Sequence, residues 1–242
     1  MKFAEMPYQR VDTEAVVAAL KELTQELKAA KSGEEQFEIH QKFYALRDEY
    51  NTTIQIAMIR SDVDTADEFY SEEKNYYNEV LPTINNQETE YRKALYYSPY
   101  REVLEEKIGK VAFKSMELEF KAMDEKLIPL MQEENALTTQ YDKLIASAKI
   151  DWEGEALNLS LLRPYMTHED REIRRKAHEK YSAFFQSKAE ELDEIYDKLV
   201  KNRTAQARLL GYENYVELGY YRMNRNSYGR EDVENFRRQI KE

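Results

Sequence analysis

The sequence predicts an all-α protein of long antiparallel helices, with one short β-hairpin near residues 149–159. Three observations predict it. Glycine occurs 6 times and proline 5 times in 242 residues, well below the roughly 7% and 5% of ordinary usage, so turns are few and elements long. Charged residues make up 34% of the chain and are rich in Glu and Lys, both good helix formers. Apolar residues recur at spacings of three and four, most regularly from Met116 to Ala148, which is the signature of one buried helix face.

The elements follow in order. A first helix is predicted from about Thr13 to Ala30, with Asp12 or Thr13 as its cap and Val16, Leu20, Leu23 and Leu27 as its apolar stripe. Gly33 is expected to end the turn. A second helix runs from about Glu34 to Arg60, carrying Phe37, Tyr44, Ile54 and Ile59. A third covers about Thr65 to Tyr97 and should bend near Pro82. Ser98-Pro99 is expected to restart the helix, Ser as cap and Pro at the first helical position.

From Met116 the positions Phe120, Met123, Leu127, Leu130, Glu134, Leu137, Tyr141, Leu144 and Ala148 alternate steps of four and three. This is a heptad seam with one polar interruption, Glu134. Pro129 inside it should kink the helix. An antiparallel pair of long helices joined by the seam is the simplest arrangement.

The pattern breaks at Lys149. "KIDWEGEALNL" places a Glu-Gly pair between β-compatible flanks, as in a hairpin. After Pro164, "THED" offers Thr167 as a helix cap with Asp170 three residues on, a variant of the capping box. Ile173, Ala177, Tyr181 and Phe184 then mark one helix face. A further helix is predicted from about Lys188 to Leu210, with Leu192, Ile195, Leu199 and Ala207 inward. Gly211 sits where a left-handed residue should end it. The last segment, "REDVENFRRQIKE", carries Val233, Phe236 and Ile240 at helical spacing and shows no C-cap. It is expected to be a helix cut short, so the chain reads as the front part of a longer polypeptide.

Composition excludes several functions. The net charge of −11 disfavours general affinity for nucleic acid or anionic lipid. There is no cysteine, hence no disulfide framework and no thiolate metal site. The start lacks the apolar run of a signal peptide, and no stretch approaches the length of a membrane span. The cytoplasm is the expected location. The three Asn-X-Ser/Thr sites, at Asn51, Asn158 and Asn202, are read as chance.

The three histidines, His40, His168 and His178, do not form a recognisable metal motif. "THEDRE" begins like His-Glu-X-X-His, in which two imidazoles four residues apart share a helix face. Here the fourth position after His168 is Glu172. His178 lies ten residues on, roughly 15 Å along a helix. Residues three before each histidine are Phe37, Tyr165 and Arg175, so the Glu-X-X-His of di-iron bundles is missing as well. No Gly-rich phosphate loop and no Gly-X-Ser-X-Gly elbow occurs. The abundant carboxylates and the run Arg171, Arg174, Arg175, Lys176 read as solvated helix faces with i,i+4 pairs. No catalytic and no metal-binding residue is assigned in this segment.

The C-terminal third is more specific. "DREIRRKAHEKYSAFF" is followed by "DEIYDKLVKNRTAQARLLGYENYVELGYYRMNRNSYGREDVENFRRQI". In order and spacing, over about Ile150 to Ile240, these resemble the oligoendopeptidase F branch of the thimet oligopeptidase family, and "KIDWEGEALNL" fits ahead of them. The resemblance implies a nearly all-helical fold with a deep channel between two halves, of which this chain would form one. It implies a cytoplasmic zinc metallopeptidase acting on short peptides. In that family the zinc is held by a His-Glu-X-X-His helix and a Glu on a following helix, and the motif Glu is the general base. None of those residues occurs here. The resemblance therefore implies the N-terminal portion of such an enzyme, inactive by itself and without bound zinc. Its partners would be short peptides and a C-terminal catalytic portion of the same polypeptide. Residues 1–148 would be a long-helix region, and 149–242 the start of the peptidase-type domain.

One stretch then gains a meaning. In "RTAQARLLGYENYVELGYYRMNR" a helix stops at Gly211, restarts, and carries Tyr212, Tyr215, Tyr220 and Tyr221. Tyrosine offers a flat apolar face with a hydroxyl at its tip, suited to a wall that is partly packed and partly wet. These four are the substrate-channel candidates. The alternative reading is a non-enzymatic helical interaction protein that self-associates through the Met116–Ala148 seam.

Overall fold

The computed structural model describes residues 2–241. Their helices are α1 (Thr13–Ala29), α2 (Gly33–Val63), α3 (Glu68–Tyr96), α4 (Arg101–Ile108), α5 (Lys110–Phe120), α6 (Ile128–Ala146), α7 (Leu159–Met166), α8 (Arg171–Ser187), α9 (Ala189–Leu209), α10 (Tyr215–Arg222) and α11 (Arg230–Lys241). The strands β1 (Ile150–Trp152) and β2 (Glu155–Leu157) pair antiparallel, with Ile150 opposite Leu157. The expected all-α class with one hairpin is what forms. The chain divides into two compact units, Met1–Gln132 with Thr204–Glu242, and Glu133–Arg203.

In the first unit α1, α2 and α3 pack on one another. Leu20, Leu27, Phe43, Ile54, Tyr77, Ile84, Tyr91 and Leu95 form the centre, each at most 1% exposed. The caps are local. Asp12 accepts a hydrogen bond from the Ala15 N–H at 3.0 Å, and Ser32 accepts one from the Glu35 N–H at 3.1 Å. The segment ahead of α1 is tied down by a buried carboxylate. Glu73 of α3 receives the Tyr8 hydroxyl and the Arg10 guanidinium, and the Arg10 bonds, followed by that of Tyr8, hold its carboxyl below the usual range against the cost of burial. Tyr77 accepts from the Val11 N–H at 3.1 Å.

Gly33 does not end a turn; it is the first residue of α2 and is buried. The reason is distant in sequence. A Cβ at Gly33 would lie 2.7 Å from the Cβ of Val103 in α4. Alanine is the better helix former by roughly 0.5–1 kcal/mol, but overpacking costs about 1–3 kcal/mol and outweighs it. Gly33→Ala is expected to destabilise the chain by about 1–2 kcal/mol in urea titration. In a Val103→Gly background, which removes the Cβ that Ala at position 33 would meet, Gly33→Ala should cost clearly less than in the parent; an equal cost in both backgrounds would show that the contact is not the cause.

α3 is continuous through Pro82. Three further expectations are corrected by the structure. Ser98 is not the cap of the next helix, which begins at Arg101. The Ser98 hydroxyl instead donates to the Gln36 side chain and accepts from the Tyr100 N–H at 3.0 Å. The Met116–Ala148 seam is not one kinked helix: α5 ends at Phe120 and a 3-10 turn covers Glu125–Leu127. Asp124 caps that turn by accepting from the Lys126 N–H at 3.0 Å. Pro129 then falls in the first turn of α6, where a missing N–H costs nothing, so it starts a helix rather than bending one. Lastly, Thr167 caps nothing N-terminal. An unforeseen helix, α7, ends there, and Asp170 caps α8 by accepting from the Glu172 N–H at 2.7 Å.

In the second unit the hairpin turn has Glu153 at φ 53° and Gly154 at φ 94°, the paired positive values of a type I′ turn. Ile150, Trp152, Leu157, Leu162 and Ala177 make a small core, with Ile173, Tyr181 and Phe184 packed against it. The polar interruption of the seam is also resolved. Glu134, 8% exposed, accepts from Arg203 of α9 at 2.7 Å. Of the seam residues, Met116, Met123, Leu127, Leu137, Leu144 and Ala148 are buried within the chain, while Tyr141 is exposed. No helix among the described residues is long and apolar enough to cross a membrane. How the last helix ends at Glu242 lies outside the described residues.

Candidate functional site

Gly211 ends α9 as its position predicts. It stands at φ 88°, a conformation without penalty only for glycine, and the Tyr212 N–H closes back on the Ala207 carbonyl at 3.0 Å, the pattern of a Schellman stop. Asn214 caps α10 through the Val216 N–H at 2.9 Å. The sharp reversal brings Tyr212 against Tyr221, ring centroids 5.7 Å apart.

The four tyrosines do different things. Tyr212 donates its hydroxyl to the Lys121 carbonyl at 2.9 Å, satisfying a carbonyl left open at the end of α5; burial, then the charge of Glu217, raises its pKa. Tyr215 lies against Gly219, where a Cβ would stand 3.3 Å from its ring, and its hydroxyl accepts from Arg222 at 3.3 Å. Arg222 also donates to the Gln206 side chain at 2.8 Å. Tyr221 donates to Glu217 at 2.7 Å, and that bond, with burial, pushes its pKa up to about 12. The ring of Tyr220 carries the guanidinium of Arg225 at 4.3 Å from its centroid.

Tyr220 and Tyr221 line a cavity of about 380 Å³ with Glu213, Glu217, Arg225, Tyr228 and Arg230 among its walls. Tyr212 and Tyr215 are not among its lining residues and brace α10 from elsewhere. Sequence reasoning did not single out Arg225, Tyr228 or Arg230. Their signal was present in the aromatic–basic alternation "YYRMNRNSYGR", which resembles any mixed helix end until the chain turns at Asn224, a non-glycine residue at φ 49°.

A second cleft, of about 560 Å³, opens between α2, α3 and α5. Its polar side is a network that sequence reasoning also missed. Glu88 accepts from Arg47 at 3.2 Å, from Arg92 at 2.5 Å and from the Tyr50 hydroxyl. Arg92 bridges on to Glu119 at 2.7 Å. Burial works against the Arg92 charge, but Glu119 and Glu88 outweigh it and leave the pKa raised. Met116, Met123 and Met131 also line the cleft.

Among the described residues no group of three or more His, Cys, Asp or Glu side chains could hold a metal ion. His40 is buried among aromatic rings, and His168 accepts from the Asp170 N–H at 3.0 Å in the turn before α8. These residues do not fit a zinc centre.

Residues 3–123 match the Peptidase M3 N-terminal domain, and residues 164–242 match Peptidase family M3. No curated protein gives a match. A Pz peptidase A solved with an inhibitor is 42% identical with a TM-score of 0.95, the match covering 99% of this chain and 42% of that one. A Bacillus anthracis structure described as an oligoendopeptidase F is 40% identical with a TM-score of 0.94, covering 99% of this chain and 44% of that one. A further structure described as an oligoendopeptidase F is 40% identical with a TM-score of 0.95, covering 100% of this chain and 43% of that one. The chain thus spans about two fifths of the length of these solved structures.

Proposed function

The chain belongs to peptidase family M3, and on that premise we propose that it is the N-terminal part of an oligoendopeptidase F-type zinc metallo-endopeptidase that hydrolyses short peptides. In this reading its role is to build a wall of the substrate channel, and the zinc and the general base belong to a His-Glu-X-X-His helix that these 242 residues do not contain. The observation that carries the reading is the pair of family matches, at both ends of a chain whose fold aligns over nearly its full length with oligoendopeptidase F structures.

Tyr220 and Tyr221 are proposed to meet the peptide at the cavity, with Tyr212 and Tyr215 fixing the wall that presents them. A half-buried tyrosine wall suits this task because it can stack on side chains of many shapes while its hydroxyls reach backbone groups. Zinc would polarise the scissile carbonyl and activate water when bound by its own ligands. The residues present here supply shape and contacts. A cytoplasmic location accords with peptide turnover and with a chain free of cysteine.

The test is direct. A polypeptide extended through a His-Glu-X-X-His helix should cleave short internally quenched peptides and lose activity to chelators, and the 242-residue chain should neither cleave them nor hold zinc at one equivalent. Tight stoichiometric zinc in the 242-residue chain, or an extended polypeptide indifferent to chelation, overturns the proposal.

A further inference from the structure

We infer that Arg225 is a preformed receptor for a carboxylate of a bound peptide, an inference that rests on the peptidase reading above and adds a charge preference to it. Arg225 follows α10, and its guanidinium carbon lies 4.3 Å from the centroid of Tyr220 and 5.4 Å from that of Tyr228. The two rings hold it at the wall of the 380 Å³ cavity. A guanidinium carries five N–H donors in a planar fork, and none of those of Arg225 has a hydrogen-bond or ion-pair partner among the described residues.

Two neighbouring charges are already engaged. Arg230, on the same cavity, is bonded to Glu234 at 2.6 Å, and Glu217 receives the Tyr221 hydroxyl at 2.7 Å. Arg222 donates to Gln206 and Tyr215. Arg225 is therefore a lining cation held by two rings and paired with no carboxylate among the described residues. The ring contacts restrain its side chain before any ligand arrives, so less freedom is lost on binding. The fork matches a carboxylate in two-point geometry. Glu213 and Glu217 also line the cavity, which disfavours a ligand of high negative charge and fits a single carboxylate.

That carboxylate can be the C-terminus of a short peptide or an Asp or Glu side chain within it, and the experiment separates the two. N-acetylated pentapeptides are titrated calorimetrically into the 242-residue chain in four forms: free acid or amide at the C-terminus, each with Glu or Gln at the centre. Replacing the recognised carboxylate by its amide is expected to weaken binding about tenfold, and the position at which this happens identifies the source. In Arg225→Gln, with circular dichroism showing the helices intact, the difference should vanish and the affinity for the fully amidated peptide should stay unchanged. Arg225→Lys keeps the charge but not the fork and should retain only part of the preference. Four peptides bound equally by the parent chain would overturn this inference and leave the peptidase reading standing. Discrimination that survives in Arg225→Gln, or no binding of any peptide, also overturns it. Loss of chelator-sensitive hydrolysis in the extended polypeptide would instead remove the peptidase reading.

Discussion

Glu88→Ala is expected to cost the chain about 3–5 kcal/mol, the range for removing one partner of a buried ion network. The expectation follows from what is left behind. Glu88 is 5% exposed and takes three donors, from Arg47, Arg92 and the Tyr50 hydroxyl. Without it, Arg92 keeps Glu119, but the Arg47 guanidinium loses its carboxylate and the buried Tyr50 hydroxyl loses its acceptor. The hydroxyl alone costs about 1–3 kcal/mol. The Tyr50 pKa is raised by burial first and by the bond to Glu88 second, so the phenol stays a neutral donor throughout the working pH range. Glu88→Gln retains an acceptor of the same size and should lose clearly less. Urea unfolding of the two variants beside the parent measures this, and equal losses for Ala and Gln would show that volume, not the network, matters at this position.

The second large effect is a pH dependence from His40. Its ring is 3% exposed, lies parallel to Phe43 and Tyr91, and meets the edge of Tyr44 at 4.8 Å. Nδ1 is 3.4 Å from the Tyr91 hydroxyl, and Nε2 has no partner among the described residues. Burial, then the charge of Arg92, lowers the pKa from 6.5 to about 4. The folded chain therefore holds His40 neutral where the unfolded chain is protonated. Stability from this group is intact above pH 6.5 and is lost as pH falls towards 4, by roughly 3 kcal/mol. His40→Phe preserves a ring and removes the titration. The stability of His40→Phe minus that of the parent should rise by about 3 kcal/mol between pH 6.5 and 4. A difference that stays flat with pH would contradict the assignment, whatever its absolute size.

These two sites also show where sequence reading stops. His40 and Glu88 stand on helices that were predicted with their types correct, yet their local neighbours, Arg92 four residues after Glu88 and Phe43 and Tyr44 just after His40, do not show that either is buried. The Glu88 partners Tyr50 and Arg47 are 38 and 41 residues away. A charged residue at such a position reads as one more solvated Glu, since 47 acidic residues populate the chain. The tyrosine cluster was visible because four tyrosines fall within ten residues. Which of them line the cavity was not, because Tyr212 is committed to a carbonyl 91 residues earlier. The heptad seam was periodic in the sequence, but periodicity alone did not reveal that Asp124 would cap a new turn and divide it.

Local chemistry in the sequence by itself determined the helical class, the cap at Asp12, the Glu-Gly turn of the hairpin and the stop at Gly211. Each rests on hydrogen bonds or φ angles set within about five residues, where chain connectivity already holds the groups together. Only the tertiary structure decided why Gly33 must lack a side chain, which acids neutralise which arginines, and that Arg225 stands between two tyrosines with its donors open. Those outcomes depend on distance and burial between segments far apart in the chain, and the same residue types are solvated or paired according to what folds against them.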